Sequence, residues 1–142
     1  MSDLKGHCLC GETRWEAEGP MLWACHCHCA DCRRQCAAPV VTFLGVAEAG
    51  FRWSGTEPGQ YVSSPGVTRS FCRTCGTPMA FKAERYGGEI HLYAASLETP
   101  EAFTPRFHVH HAEKLPWIAL DDDLPRYEGF APADAPEIGD AG

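Results

Sequence analysis

The stretch Cys25-His26-Cys27-His28-Cys29-Ala30-Asp31-Cys32-Arg33-Arg34-Gln35-Cys36 decides how the rest of the chain is read, because it holds five of the nine cysteines. Thiols this close in sequence make poor disulfide partners for one another, since a bridge needs Cα atoms about 4.4–6.8 Å apart with converging Cβ vectors. They suit a metal. In an extended segment residues i and i+2 project from one face, so Cys27 and Cys29 point the same way. The two-residue spacer to Cys32 then lets the chain turn and bring in a third sulfur. Zinc-bound sulfurs, held at about 2.3 Å from the ion, are close enough together for such short spacers. Free cysteines are often core residues, but core cysteines do not recur at this spacing. His26 and His28 alternate with the thiols, so they point away from the metal face and read as supporting or packing groups rather than ligands.

Outward from this cluster, two further thiol pairs stand out. Cys8-Leu9-Cys10-Gly11 comes near the start and Cys72-Arg73-Thr74-Cys75-Gly76 in the middle. Each pair ends on a glycine, where a left-handed turn is cheap. Two half-sites of two thiols make one closed four-thiolate site, the form that structural zinc prefers. A redox dithiol at Cys72 and Cys75 is the alternative, but it leaves Cys8 and Cys10 without a role. Closing the site would tie position 8 to position 75 and staple the two halves of the chain.

The segments between the thiols read mainly as strands. Thr13 to Glu18 alternates, with Trp15 and Ala17 on one face and Arg14, Glu16 and Glu18 on the other. Gly19-Pro20 breaks it. Leu22 to Cys29 reads as a strand running into the cluster, and Arg33 to Gln35 as one helical turn before Pro39. Val40 to Val46 is β-branched and apolar, as buried strands are. Phe51 to Trp53, Tyr61-Val62, Met79 to Phe81 and Ile90 to Ala94 are short strands between Gly and Pro turns. Thr99-Pro100-Glu101 starts a short helix or turn. Phe107 to His111 alternates weakly, with His108 and His110 on one side. Asp121-Asp122-Asp123 lacks the spaced oxygens of a calcium loop and reads as a solvated turn. The four tryptophans read as core.

At 142 residues, 44% hydrophobic and 22% charged, the chain is expected to form a single domain over residues 1–130. Ala, Pro, Asp and Gly dominate residues 131–142, which read as a loose tail. The formal charge of −7 argues against a general nucleic-acid binder, because such affinity comes from neutralising phosphates with Lys and Arg. No apolar run reaches membrane-spanning length, and the polar start carries no apolar signal region. Nine cysteines without a signal fit a reducing, cytoplasmic setting.

In their order, the run Gly6 to Gly11, the cluster from Cys27 to Arg34 and the Phe71 to Gly76 knuckle resemble the glutathione-dependent formaldehyde-activating enzyme family, which also includes centromere protein V. Ala95-Ser96-Leu97-Glu98, His108 and Leu115-Pro116-Trp117 add weaker matches, and the similarity runs from Gly6 to Gly129. The resemblance implies a fold of coiled antiparallel sheets, the Mss4-like or β-tent type. It implies two Zn²⁺ per chain. One is structural, on Cys8, Cys10, Cys72 and Cys75; the second, nearer the chemistry, is on Cys27, Cys29 and Cys32. The family activity is condensation of formaldehyde with glutathione to S-hydroxymethylglutathione and the reverse carbon–sulfur cleavage. Two departures matter. Cys36 stands where the family often has Ser, Thr or Gly, and Cys25 adds a thiol ahead of the cluster; either could close the second site.

The residues support that chemistry independently. A zinc with three protein ligands keeps a position for water or substrate, and a thiol bound there ionises near neutral pH. Three thiolates leave the ion with net negative charge, so a cation nearby is needed. Arg33 and Arg34 are the candidates in sequence, able also to hold a substrate carboxylate such as those of glutathione, with ordinary surface positions as the alternative. Free imidazoles titrate near neutral pH, so His108 could serve as an acid or base or contact substrate, with a satisfied structural histidine as the commoner alternative. The leading expectation is a zinc-dependent carbon–sulfur lyase with Cys27, Cys29 and Cys32 at its centre. A non-catalytic zinc-stabilised scaffold, with Cys25 or Cys36 closing the second site, and a thiol redox protein are the other classes.

Overall fold

The computed structural model describes residues 3–136, which form ten strands, one α-helix and five short 3-10 turns. A three-stranded sheet joins β1 (Leu4–His7), β2 (Thr13–Ala17) and β5 (Phe51–Gly55) in the order β1-β2-β5. The larger sheet contains β3 (Trp23–Cys27), β4 (Val41–Ala47), β6 (Gly59–Ser64), β7 (Val67–Phe71), β8 (Pro78–Ala83), β9 (Glu89–Tyr93) and β10 (Phe107–Val109). Its order is β10-β3-β4-β9-β8-β7-β6. The fold is mainly β, and the sheets are antiparallel with one exception.

That exception is one strand pair at the edge of the larger sheet. β10 pairs in parallel with β3, matching Phe107 to Cys25 and Val109 to Cys27. Since β3 and β9 both run antiparallel to β4, β9 and β10 run in the same direction. The chain reverses twice between them, over residues 94–106, as a parallel crossover requires. Two strands also appear where the sequence reading placed none. β1 is short and half polar, and β7 includes the buried Arg69.

Period-2 alternation divides the buried residues into two cores. In β2, Thr13, Trp15 and Ala17 are buried and Arg14 is exposed. Trp15 centres the first core with Leu44, Met79 and Leu92, and its indole N–H donates to Ser96 Oγ at 3.1 Å. The second core gathers Cys25, Cys27 and Cys32 with Phe43, Tyr93 and Phe107. The strand β3 serves both, because Ala24 belongs to the first and Cys25 and Cys27 to the second.

Two cross-strand pairs follow one rule. Gly6 sits opposite Trp15, and Gly45 opposite Trp23. A Cβ at either glycine would lie 2.4 Å from the facing indole, so only a hydrogen side chain lets the ring lie across the neighbouring strand. The tryptophans are not all core, however. Trp23 stands on a cavity wall and Trp117 is 70% exposed.

The helix α1 (Ala30–Cys36) is longer than the expected single turn. Cys29 explains the extension, since its sulfur accepts the Cys32 N–H at 3.3 Å in the manner of an N-cap. The helix ends at Ala37, whose φ of 52° places it in the left-handed region with its N–H turned back to Arg34.

Candidate metal centres

The sulfurs of Cys8, Cys10, Cys72 and Cys75 lie within 4.8 Å of one another. The first two follow β1, and the second two occupy the turn after β7. Cys8 and Cys10 are separated by 3.6 Å, and Cys10 and Cys72 by 3.7 Å. Four sulfurs tetrahedrally disposed about 2.3 Å from an ion would be roughly 3.8 Å apart, so the arrangement fits zinc. Backbone amides face the sulfurs as they do in zinc knuckles, with Thr13 N–H 3.3 Å from Cys8 and Cys75 N–H 3.4 Å from Cys72. The Thr77 hydroxyl, 3.1 Å from the Cys75 sulfur, is the main cause holding that thiol down to about 5. The same Thr77 oxygen accepts Leu9 N–H at 3.1 Å, which knits the two half-sites together.

The second group consists of Cys27 at the end of β3, Cys29 at the helix cap and Cys32 on α1, again within 4.8 Å of one another. The strand-to-helix turn therefore produces the convergence that the spacing suggests. Cys25 and Cys36 stand outside this group; the Cys36 sulfur instead donates toward Gln35 Oε1 at 3.5 Å. The three thiols differ in acidity. Hydrogen bonding from Cys27 and Cys32 holds Cys29 well below the ordinary thiol range, and the Cys32 amide helps. Cys27 is driven upward by its sulfur neighbours and by burial. Cys32 is favoured by Cys27 but opposed by Cys29 and by burial, and ends at about 12. Only a cation would let all three ionise together, and soft thiolates select zinc-like ions.

These three cysteines line a cavity of about 640 Å³. Aromatic rings supply much of its wall, including Trp23, Phe43, Phe81 and Tyr86. Residues 131–136, expected to belong to a loose tail, contribute Ala131, Pro132, Ala133, Ala135 and Pro136 to the lining, and residues 137–142 lie outside the described part. The Arg85 guanidinium lies over the Phe130 ring at 3.6 Å on the same wall.

The cation beside the thiols is Arg69, which the sequence reading did not single out. It is 4% exposed, and its Nη1 lies 3.6 Å from Cys32 Sγ. Its placement follows from β7, where Arg69 and Ser70 are the buried residues. A strand immediately ahead of the Cys72–Cys75 knuckle, with an arginine inside it, was the available signal. Arg33 and Arg34 do not line the cavity. Arg33 donates to the backbone oxygens of His28 at 3.1 Å and Glu113 at 3.4 Å, fastening the helix to the following loops.

The other face of β3 carries imidazoles. His108 is completely buried, and it lines a separate cavity of about 220 Å³ with His28 and His111 rather than the cysteine-lined one. Its Nδ1 is 2.9 Å from His28 Nε2, and its Nε2 is 3.0 Å from an oxygen of Asp122. Asp122 is thus part of a charge network, which corrects its reading as a solvated turn. Burial, reinforced by His108, lowers His28 to about 4. Among the described residues no helix is long and apolar enough to cross a membrane.

Comparison with known proteins agrees with this architecture. A crystal structure of a Rhodobacter sphaeroides protein superposes with a TM-score of 0.57 at 20% identity, covering 87% of this chain and 98% of that one. An uncharacterized lyase of Schizosaccharomyces pombe is 35% identical over 83 residues, or 57% of this chain. The match spans 58% of the yeast protein's length. The family model of the glutathione-dependent formaldehyde-activating enzyme matches residues 3–113 and so takes in both thiol groups, α1 and all ten strands: this chain belongs to that family.

Proposed function

We propose that this protein is a zinc-dependent carbon–sulfur lyase that cleaves and forms a thiol–aldehyde adduct of the S-hydroxymethylglutathione type. One observation carries the reading: of the two thiol groups, the group of three lines the large cavity and the group of four does not. Four thiolates close a tetrahedral site, whereas three keep a position for substrate. In this reading Cys8, Cys10, Cys72 and Cys75 hold a structural ion, and Cys27, Cys29 and Cys32 hold the one at the chemistry.

When bound there, zinc would supply Lewis acidity and stabilise the thiolate form of the substrate sulfur. The chain's own residues do the rest. Arg69 offsets the negative charge of the thiolates from a buried position beside Cys32. The aromatic wall excludes water, and Arg85 offers a guanidinium to a substrate carboxylate. His110 also lines the cavity, with Nδ1 3.7 Å from Glu113 Oε2. It takes the adduct's hydroxyl proton as the carbon–sulfur bond breaks; the sulfur keeps the bond's electron pair, and the oxygen's electrons form the aldehyde carbonyl. In the synthetic direction the proton returns by the same route.

The test follows formaldehyde release from S-hydroxymethylglutathione against the uncatalysed rate. The wild-type chain should accelerate it, and Cys29→Ser should abolish the acceleration while the chain stays folded. No acceleration by the metal-loaded wild type, or full activity in Cys29→Ser, would leave a zinc-stabilised scaffold as the better reading.

A further inference from the structure

We propose a third metal site in this chain, formed by His26, His108 and Asp122, for a divalent transition ion of zinc, cobalt or iron type. It is independent of the lyase reading. One ring nitrogen from each histidine and one carboxylate oxygen lie within 4.8 Å of one another. Two imidazoles and a carboxylate make the nitrogen–oxygen donor set that such ions take, with coordination positions left for water.

The surroundings argue more strongly than the three residues alone. Metal-binding imidazoles almost always have their second nitrogen held by a hydrogen bond, which fixes the ring and the tautomer. Here His26 Nδ1 is 2.8 Å from Thr42 Oγ1, and His108 Nδ1 is 2.9 Å from His28 Nε2. Both histidines therefore have Nε2 left for an ion. The carboxylate is held as well. Asp122 Oδ1 accepts from Leu124 N–H at 3.1 Å and from Arg126 Nη1 at 3.0 Å, and both carboxylate oxygens face His108 Nε2, Oδ1 at 3.1 Å and Oδ2 at 3.0 Å. Arg126, paired with Oδ1, opposes part of the ion's charge.

The tautomers add an independent pointer. The buried His28 Nδ1 has no hydrogen-bond partner. Without an ion, His108 Nε2 must carry the proton that it donates to Asp122, so His108 Nδ1 must accept from His28 Nε2. A single chain of donors then runs from His28 through His108 to Asp122. An ion replaces only the proton between His108 and Asp122, at the end of an already ordered chain. The strand β3 in this way carries two metal sets, thiols on one face and His26 with its partner His108 across the parallel β3–β10 pair on the other.

The test uses the full chain with its thiol sites zinc-saturated, titrated with Co²⁺. One further ion per chain should bind, giving ligand-field absorption without sulfur-to-metal charge transfer. His26→Ala and Asp122→Asn should each lower that affinity at least tenfold and leave the zinc content unchanged. In the unaltered chain, the bound cobalt should broaden and shift the imidazole resonances of His26 and His108, a readout that needs no variant. No ion beyond the thiol-bound zinc, a further ion with sulfur charge transfer, unperturbed His26 and His108 resonances, or undiminished binding in both variants would each overturn the site.

Discussion

Arg69 Nη1 stands 3.6 Å from the sulfur of Cys32, inside the protein and beside the thiol group that faces the large cavity. The guanidinium is held there from two further sides, by the Tyr93 hydroxyl at 3.3 Å and by Ser63 Oγ, which Nε reaches at 3.1 Å. It also lies over the Phe81 ring at 5.1 Å. A buried cation needs a partner, and three sulfurs that share a cation need compensation for their charge. Each solves the other's problem.

Arg69→Gln should therefore weaken the second metal site without emptying the first. A hydrogen bond to a charged group is worth about 1.5–3 kcal/mol, or roughly 10–150-fold in zinc affinity at Cys27, Cys29 and Cys32. Competition with a coloured chelator reads this directly. Release of both ions at unchanged rates would show that Arg69 has no such role.

The two thiol groups should contribute unequally to stability. Cys72→Ser breaks a site that joins positions 8–10 to positions 72–75, and metal binding in such sites is worth roughly 10–16 kcal/mol. That variant should lose its fold. Cys29→Ser opens only a short loop, and serine can still cap α1. It should lose at most one zinc and keep its circular dichroism and most of its melting temperature. Equal falls in melting temperature for the two variants would count against the division.

The acid limb of stability should depend in part on Glu89. Its carboxylate takes hydrogen bonds from His91 Nε2 at 3.0 Å and Trp23 Nε1 at 3.1 Å, and the His91 contact is the main cause holding it below its ordinary range. A group with a depressed folded-state value adds stability that is fully present above its unfolded value, about 4.3. That stability fades as pH falls through the lower folded value. Glu89→Gln should remove this part of the dependence, flattening denaturant midpoints between about pH 5 and pH 3. An unchanged slope would mean that the carboxylate is not stabilised by folding.

What the sequence disclosed was set by distance along the chain. The thiol groups were legible because Cys8/Cys10, Cys72/Cys75 and Cys27/Cys29/Cys32 each act through spacers of one or two residues, and the strands through their period of two. The parallel β3–β10 pair was not, since nothing local in Phe107–Val109 states which strand it joins. The same pairing brings His108 to His26 and Asp122, so that network was hidden as well. Arg69 was missed for a related reason: its value depends on β7 lying beside the Cys32 helix. Arg33 and Arg34 looked better placed only because they are adjacent to Cys32 in sequence.

The central claim is that the thiol group on the cavity wall keeps a coordination position open. Cobalt substitution of the second site, followed by absorption spectroscopy with and without added glutathione, tests it most directly. The account predicts a three-sulfur spectrum in the free protein and a shift toward a four-sulfur spectrum on adding the thiol, with both metals retained in Cys25→Ser and Cys36→Ser. A four-sulfur spectrum with no thiol added, lost on changing Cys25 or Cys36, would mean a closed site and contradict the account.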